Sequence, residues 1–108
     1  FGSVKNAAQF KALYAYSPYL HVTNGVSYPA VFFPCGANDG RVNPAHSRKM
    51  TARLQAATSS GLPILLRIAA TAGHGMGSSL SVRVAEQADI YAFLFQELGI
   101  DTSPWLFP

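Results

Sequence analysis

The sequence predicts an α/β fold in which helices and strands alternate in the order α-β-α-β-α. Two short apolar runs, residues 28–36 and 63–70, are bounded by turn-forming residues, as is typical of strands buried in a parallel sheet. Stretches with helical periodicity lie before, between and after these runs. Because strands that alternate with helices usually pair in parallel through a right-handed crossover, we expect a short parallel sheet.

The first helix is predicted over residues 6–16, where apolar side chains recur at i, i+3 and i+4. Pro18 follows it closely, and the residue before a proline disfavours helical angles, so the helix is expected to end there. The first strand, residues 28–36, contains Pro34. Since proline cannot donate a backbone hydrogen bond, Pro34 indicates an edge or a bulge near that point.

The second helix is predicted from Pro44 to about Thr58, with Asn43 as its N-cap and Arg53 facing water. The last helix is predicted from about Leu80 to Leu98, with Gly99 as the residue that ends it. One apolar stripe at helical spacing is expected to face the core of the protein. Its members are Leu80, Val84, Ala88, Tyr91, Phe95 and Leu98.

The composition is unusually apolar for a chain of this size. The chain has 108 residues, of which 49% are hydrophobic and 12% charged. A small domain buries a limited fraction of its surface, so part of this apolar surface is expected to lie against a larger domain or a second copy. We therefore predict a homo-oligomer, with residues 1–100 forming one portion of a domain and residues 101–108 an irregular tail.

Charge and spacing argue against several classes of partner. The eight Lys and Arg residues are scattered, so no nucleic-acid partner is predicted. No apolar run reaches membrane-spanning length, and no membrane partner is predicted either. His21, His46 and His74 lack zinc-ligand spacing, and the glycines after residue 70 do not match the dinucleotide fingerprint, so we expect no metal and no cofactor.

Two polar side chains follow the predicted strands. Asp39 comes shortly after the first strand, and His74 comes shortly after the second. The carboxyl ends of parallel strands lie at one edge of a sheet, where catalytic groups gather. An aspartate that accepts a hydrogen bond from one ring nitrogen of a histidine leaves the other nitrogen free to act as a general base. By spacing alone, a turn-forming aspartate and a solvated histidine remain the alternative.

Three stretches of the chain resemble the last part of the catalytic domain of the prolyl oligopeptidase (S9 serine peptidase) family. They are FKALYAYSPYLHV, GANDGRVNPAHSRKMTARLQAA and PILLRIAATAGHGMG. The resemblance implies a partial α/β-hydrolase fold and a peptide substrate. It also implies that Asp39 is the acid of a Ser-His-Asp triad, that His74 is its base, and that Arg41 binds a peptide carbonyl of the substrate.

The chain departs from this family in lacking the nucleophile. No Gly-x-Ser-x-Gly sequence, the elbow that carries the serine in α/β-hydrolases, occurs in the 108 residues. We therefore expect a C-terminal piece of a peptidase that is inactive alone. A non-catalytic, self-associating fold and a fragment of an esterase or lipase of the same superfamily are the alternatives. The chain begins at Phe1 without a recognisable signal peptide, and cytoplasmic and periplasmic locations both stay open.

Overall fold

The structure, a computed structural model, describes residues 2–75 and 78–103. The elements follow the predicted order. They are α1 (Ala7–Tyr16), a 3-10 turn (Pro18–His21), β1 (Val31–Gly36), α2 (Ala45–Ala57), β2 (Ile64–Ala69) and α3 (Leu80–Glu97). The prediction of an α-β-α-β-α chain is confirmed. Part of the predicted tail, residues 104–108, lies outside the described residues.

The two strands form a parallel sheet whose register runs from Val31 beside Ile64 to Gly36 beside Ala69. At the two ends of the sheet, the backbone N–H of Val31 donates to the Pro63 carbonyl at 2.9 Å, and that of Ala37 donates to the Ala69 carbonyl at 3.0 Å. Because alternate residues of a strand point their N–H groups to the same side, the odd-numbered residues of β1 face β2. The nitrogen of Pro34 therefore lies on the outer edge of β1, where it breaks no bond of this ladder. This agrees with the edge position that the sequence indicated as one of two possibilities.

The strands are shorter and less buried than the sequence predicted. Residues 28–30, together with 63 and 70, lie outside the ladder. The prediction that both faces of the strands are buried was wrong. Gly36 is the one buried residue of β1, and on β2 Leu65 and Ile68 are 44% and 39% exposed. The physical reason is that two strands present two outer edges and wide faces, which a 108-residue chain has too few elements to cover.

Helix α2 supplies one side of the small core. The buried side chains of the described residues are Thr51, Leu54, Ala57, Ile64, Ala69 and Ala72. Helix α2 begins at Ala45, one residue later than predicted, and Pro44 rather than Asn43 is its N-cap, without a side-chain cap hydrogen bond. The Asn43 side chain accepts from the N–H of Ala45 at 2.9 Å, in the turn that leads into the helix. Arg53 does not face water as predicted. It is half-buried and donates to the Asn24 side chain at 2.6 Å and to the Val22 carbonyl at 2.5 Å, which ties the loop before β1 to α2.

Helix α3 ends as predicted but turns a different face to the sheet. Gly99 has φ +65°, and the N–H groups of Gly99 and Ile100 donate to the carbonyls of Gln96 and Phe95, a Schellman motif. Toward the sheet, Phe93 stacks on Phe32 with ring centroids 5.3 Å apart.

Most of the stripe expected to face the core, from Leu80 to Leu98, is exposed instead, and Phe95 is half-buried. Helix α3 is apolar on more than one face, and periodicity alone does not decide which face the sheet covers.

Candidate active site

The loops that follow β1 and β2 emerge side by side at the carboxyl edge of the sheet. Gly36, the last residue of β1, makes this approach possible. A Cβ atom at this position would lie 2.4 Å from the Ala72 carbonyl oxygen and 2.5 Å from that of Gly73. These distances are too short for any side chain, so the absence of a Cβ at Gly36 lets the loop that bears His74 pack against the loop that bears Asp39.

Asp39 and His74 meet at this edge, 35 residues apart in the chain. His74 Nδ1 lies 2.8 Å from Asp39 Oδ2. The other carboxylate oxygen, Oδ1, accepts the backbone N–H groups of Arg41 and Val42 at 2.9 and 2.8 Å. The Asp39 side chain is 12% exposed, whereas that of His74 is 47% exposed. The carboxylate is therefore fixed on one side by its own loop and presents its second oxygen to the imidazole.

This contact assigns the tautomer of the histidine. An ionised carboxylate can only accept hydrogen bonds, so Nδ1 of His74 is the donor. In the neutral ring, Nε2 then carries a lone pair and no hydrogen. Such an arrangement can take a proton from a hydroxyl group placed beside Nε2, while the carboxylate stabilises the imidazolium that forms.

The hydrogen bonds around Asp39 also change its acidity. The N–H of Val42 contributes most to lowering the pKa of the Asp39 carboxyl below its ordinary value, and the bond from His74 comes next; partial burial opposes them. The N–H of Arg41 and the charge of His74 act in the lowering direction as well. Asp39 therefore stays ionised, and ready to accept from His74, at neutral pH.

A cavity of about 770 Å³ borders the pair. Besides Asp39 and His74, its walls include Cys35 of β1 and the charged residues Arg83 and Glu86 of α3. Arg41 is exposed and is not among the described residues that line this cavity.

No group of three or more His, Cys, Asp or Glu side chains that could hold a metal ion occurs within residues 2–75 and 78–103. No helix in the described part of the chain is long and apolar enough to span a membrane.

Sequence reasoning missed one polar residue of these loops. Asn38 donates from its side chain to the Ala70 carbonyl at 3.1 Å and from its backbone to the Ala72 carbonyl at 3.0 Å. Both acceptors are backbone atoms of a segment more than 30 residues away, so no side-chain pattern signals them. In the sequence, glycines surround His74, which predicts a loop able to come close to neighbouring backbone; of these glycines, Gly77 lies outside the described residues.

The model of the prolyl oligopeptidase family matches residues 2–101. The chain belongs to the prolyl oligopeptidase family. It is 42% identical over 101 residues to a prolyl endopeptidase of Elizabethkingia meningoseptica, and 35% identical over 103 residues to one of Dictyostelium discoideum. Each alignment covers 93% of this chain and 14% of the relative. The chain thus spans about one-seventh of the length of these prolyl endopeptidases.

Solved structures of the prolyl oligopeptidase family match the fold of the chain. A prolyl endopeptidase structure superposes with a TM-score of 0.85 at 40% identity, covering 94% of this chain and 15% of the other. Prolyl oligopeptidase B from Galerina marginata, solved with a 35-residue hydrolysis and macrocyclization substrate, gives 0.82 at 32% identity. The predicted family and the predicted partial α/β-hydrolase fold with a short parallel sheet are both confirmed. The roles predicted for Asp39, His74 and Arg41 remain predictions.

Proposed function

We propose that this chain supplies the acid and the base of a serine peptidase that hydrolyses peptides. The observation that carries the proposal is the 2.8 Å contact between Asp39 Oδ2 and His74 Nδ1 at the rim of a cavity. The volume of this cavity, about 770 Å³, falls in the range of about 300–1,000 Å³ that is usual for ligand sites.

In this mechanism His74 transfers two protons, one in each half of the reaction. Nε2 takes the proton of a serine hydroxyl as its oxygen attacks the peptide carbonyl, and Asp39 stabilises the resulting imidazolium. The imidazolium then gives the proton to the departing amine, which leaves an acyl-enzyme ester. In the second half, Nε2 takes a proton from a water molecule as the water oxygen attacks the ester. His74 then gives this proton to the serine oxygen as the ester C–O bond breaks, and the carboxylic acid product leaves.

The serine in this proposal comes from polypeptide outside the 108 residues, because no Gly-x-Ser-x-Gly occurs within them. We propose that residues 1–100 form the C-terminal portion of the catalytic domain, since the family match covers almost the same range. Arg41 is proposed to bind a substrate carbonyl; its guanidinium is exposed and lies two residues from Asp39. The relatives are named prolyl endopeptidases and oligopeptidases, which supports a prolyl peptide rather than an acyl ester as substrate.

A chimera tests this function. In the prolyl endopeptidase of Elizabethkingia meningoseptica, the segment aligned with this chain is replaced by residues 2–101, and hydrolysis of a chromogenic prolyl peptide is measured. The chimera is expected to be active, and His74→Ala or Asp39→Asn to lower kcat about 10⁴-fold, the size of effect seen when a triad loses its base tautomer.

The matched control is His46→Ala, which removes an exposed histidine from the first turn of α2 and should leave kcat unchanged. Activity that survives His74→Ala in the chimera would contradict the proposal. The 108-residue chain by itself should not turn over the peptide. Turnover by that chain that vanishes on His74→Ala would show that no outside serine is needed.

We also propose that the chain on its own self-associates. The observation that favours this is the number of large apolar side chains left exposed on α1, on α3 and on the sheet, among them Phe10, Tyr14, Leu65, Val84 and Tyr91. Exposed apolar area of this extent is a common sign of an interaction surface.

A further inference from the structure

Asn38 connects the two loops of the candidate site through two hydrogen bonds to the backbone of the loop that bears His74. Its amide nitrogen Nδ2 donates to the Ala70 carbonyl at 3.1 Å, and its backbone N–H donates to the Ala72 carbonyl at 3.0 Å. Asn38 is the residue before Asp39, and Ala72 lies two residues before His74. Asn38, next to Asp39 in the chain, therefore binds two carbonyls of residues 70–72, the segment that leads to His74.

Among residues 70–75, 78 and 79 of the His74 loop, few other hydrogen bonds hold the backbone. Gly73 and Gly75 flank the histidine, and the Gly75 N–H makes a local bond to the Gly73 carbonyl. The His74 side chain is largely open to solvent. The loop between two glycines can therefore swing outward unless it is held from the Asp39 side.

We propose that Asn38 is a positioning residue that keeps the His74 loop in register with Asp39 and so selects the Nδ1–H tautomer of the His74 ring. This inference rests on the proposed function for its catalytic consequence, whereas its structural part concerns the loops alone. Asn38 does not line the cavity beside the pair, and it acts through the backbone of residues 70–72.

The tautomer provides a readout that a merely structural residue would not change. Free imidazole favours the hydrogen on Nε2, so the Nδ1–H form of His74 depends on the contact with Asp39. Nitrogen-15 NMR of the full 108-residue chain at neutral pH measures the two forms. We expect mostly Nδ1–H in the wild type and a shift toward Nε2–H in Asn38→Ala, by about three- to tenfold in the tautomer ratio, the effect of one neutral hydrogen bond.

Gln55→Ala is the matched control. The Gln55 side-chain amide also donates to a backbone carbonyl of another element, that of Ile64 at 2.8 Å, but far from the two loops. It should lower stability to a similar extent without changing the tautomer ratio of His74. An unchanged ratio in Asn38→Ala, or an equal change in Gln55→Ala, would overturn the proposal.

A second variant covers the case in which Asn38→Ala does not fold. Asn38→Asp keeps the size of the side chain and the backbone bond to Ala72 but cannot donate to the Ala70 carbonyl when ionised. It should shift the tautomer ratio in the same direction as Asn38→Ala. Retention of the wild-type ratio in Asn38→Asp at neutral pH would overturn the proposal as well.

Kinetics of the chimera separate this inference from the proposed function. Asn38→Ala should lower kcat about three- to tenfold and leave KM unchanged, because Asn38 does not face the cavity. If the unmodified chimera is inactive but the tautomer shifts, the proposed function fails and the positioning role stands. If the chimera is active and neither kcat nor the tautomer responds to Asn38, the function stands and the positioning role fails.

Discussion

At the scale of single residues, the two carboxylate oxygens of Asp39 accept hydrogen bonds from different parts of the chain. Oδ1 is held by two backbone N–H groups of its own loop, and Oδ2 accepts from His74. The first pair of bonds forms within four residues, so it needs no tertiary contact to orient the carboxylate. The second bond needs the other loop, and it links the ionisation of Asp39 to the packing of the two loops.

The acidity of Asp39 predicts how stability depends on pH. The carboxyl has a lowered pKa in the folded chain, so it stabilises the fold above its unfolded-state pKa of about 3.9 and loses this effect as pH falls through the lower folded-state value. Asp39→Asn should therefore be less stable than the wild type at pH 7, and the difference should shrink in acid. Urea unfolding of both proteins between pH 7 and pH 2 measures this, and a difference that grows toward acid would contradict it.

Replacing Gly36 and Gly40 by alanine is expected to have opposite effects on stability. Gly36→Ala would place a Cβ 2.4 Å from the Ala72 carbonyl oxygen and should destabilise the fold by about 1–3 kcal/mol. Gly40, in the loop that follows β1, has no atom within 4 Å of the position that a Cβ would occupy and no positive φ, so Gly40→Ala should be neutral or stabilise by about 0.4–1 kcal/mol. Denaturant melts of both variants test this, and equal effects would show that the loops are not in close contact.

At the scale of elements, α3 binds the sheet through a mixed face. Phe93 stacks on Phe32, and Arg67 of β2 pairs with Asp89 at 2.5 Å and with Glu86 at 3.5 Å. The Arg67 side chain is the most buried of these charged groups. Surface ion pairs of this kind contribute only about 0–1 kcal/mol, so the aromatic contact is expected to carry more of the docking energy.

Two aromatic substitutions on α3 identify the face that docks. Phe93→Ala removes a half-buried ring from the sheet contact and should cost about 2 kcal/mol, less than the loss of about 3–5 kcal/mol that is typical of a fully buried phenylalanine. Tyr91→Ala, two residues away and 54% exposed, should change stability by about 0.5 kcal/mol or less. Urea melts compare the two variants, and a larger loss for Tyr91→Ala would mean that the stripe predicted from the sequence is the docking face after all.

At the scale of the whole molecule, the chain is open rather than compact. Its radius of gyration is 17.4 Å, compared with about 13 Å for a compact domain of this length. Its accessible surface is 7958 Å², whereas a folded monomer of 11.6 kDa is expected to expose about 5,800 Å². Many large apolar side chains of the described residues are exposed, which is the physical basis of the proposed self-association.

Sedimentation velocity over a range of concentrations tests the self-association. The wild-type chain should sediment faster as its concentration rises, because association buries the exposed apolar side chains of α3. A charge on that surface, Val84→Glu combined with Leu98→Glu, should shift the equilibrium toward monomer by about tenfold or more, whereas Gln96→Glu, on the same helix, should not. A wild-type chain that stays monomeric and folded at every concentration would refute the proposal.

The sequence by itself determined the order of the elements, the glycine that ends α3, the place of Pro34 at an edge, and the family. These features depend on local backbone preferences or on residues that recur at short spacing, both of which can be read along the chain. It also named Asp39 and His74 as candidates, because each follows a strand.

Only the tertiary structure decided which face of α3 meets the sheet, that Arg53 holds a distant loop, and that Gly36 and Asn38 join the two site loops. Each of these depends on atoms brought together from more than 20 residues apart, and several of the partners are backbone carbonyls that every residue carries. The physical reason is that a local pattern limits which surfaces are apolar or polar, while the choice among them is made by the packing of the remaining elements.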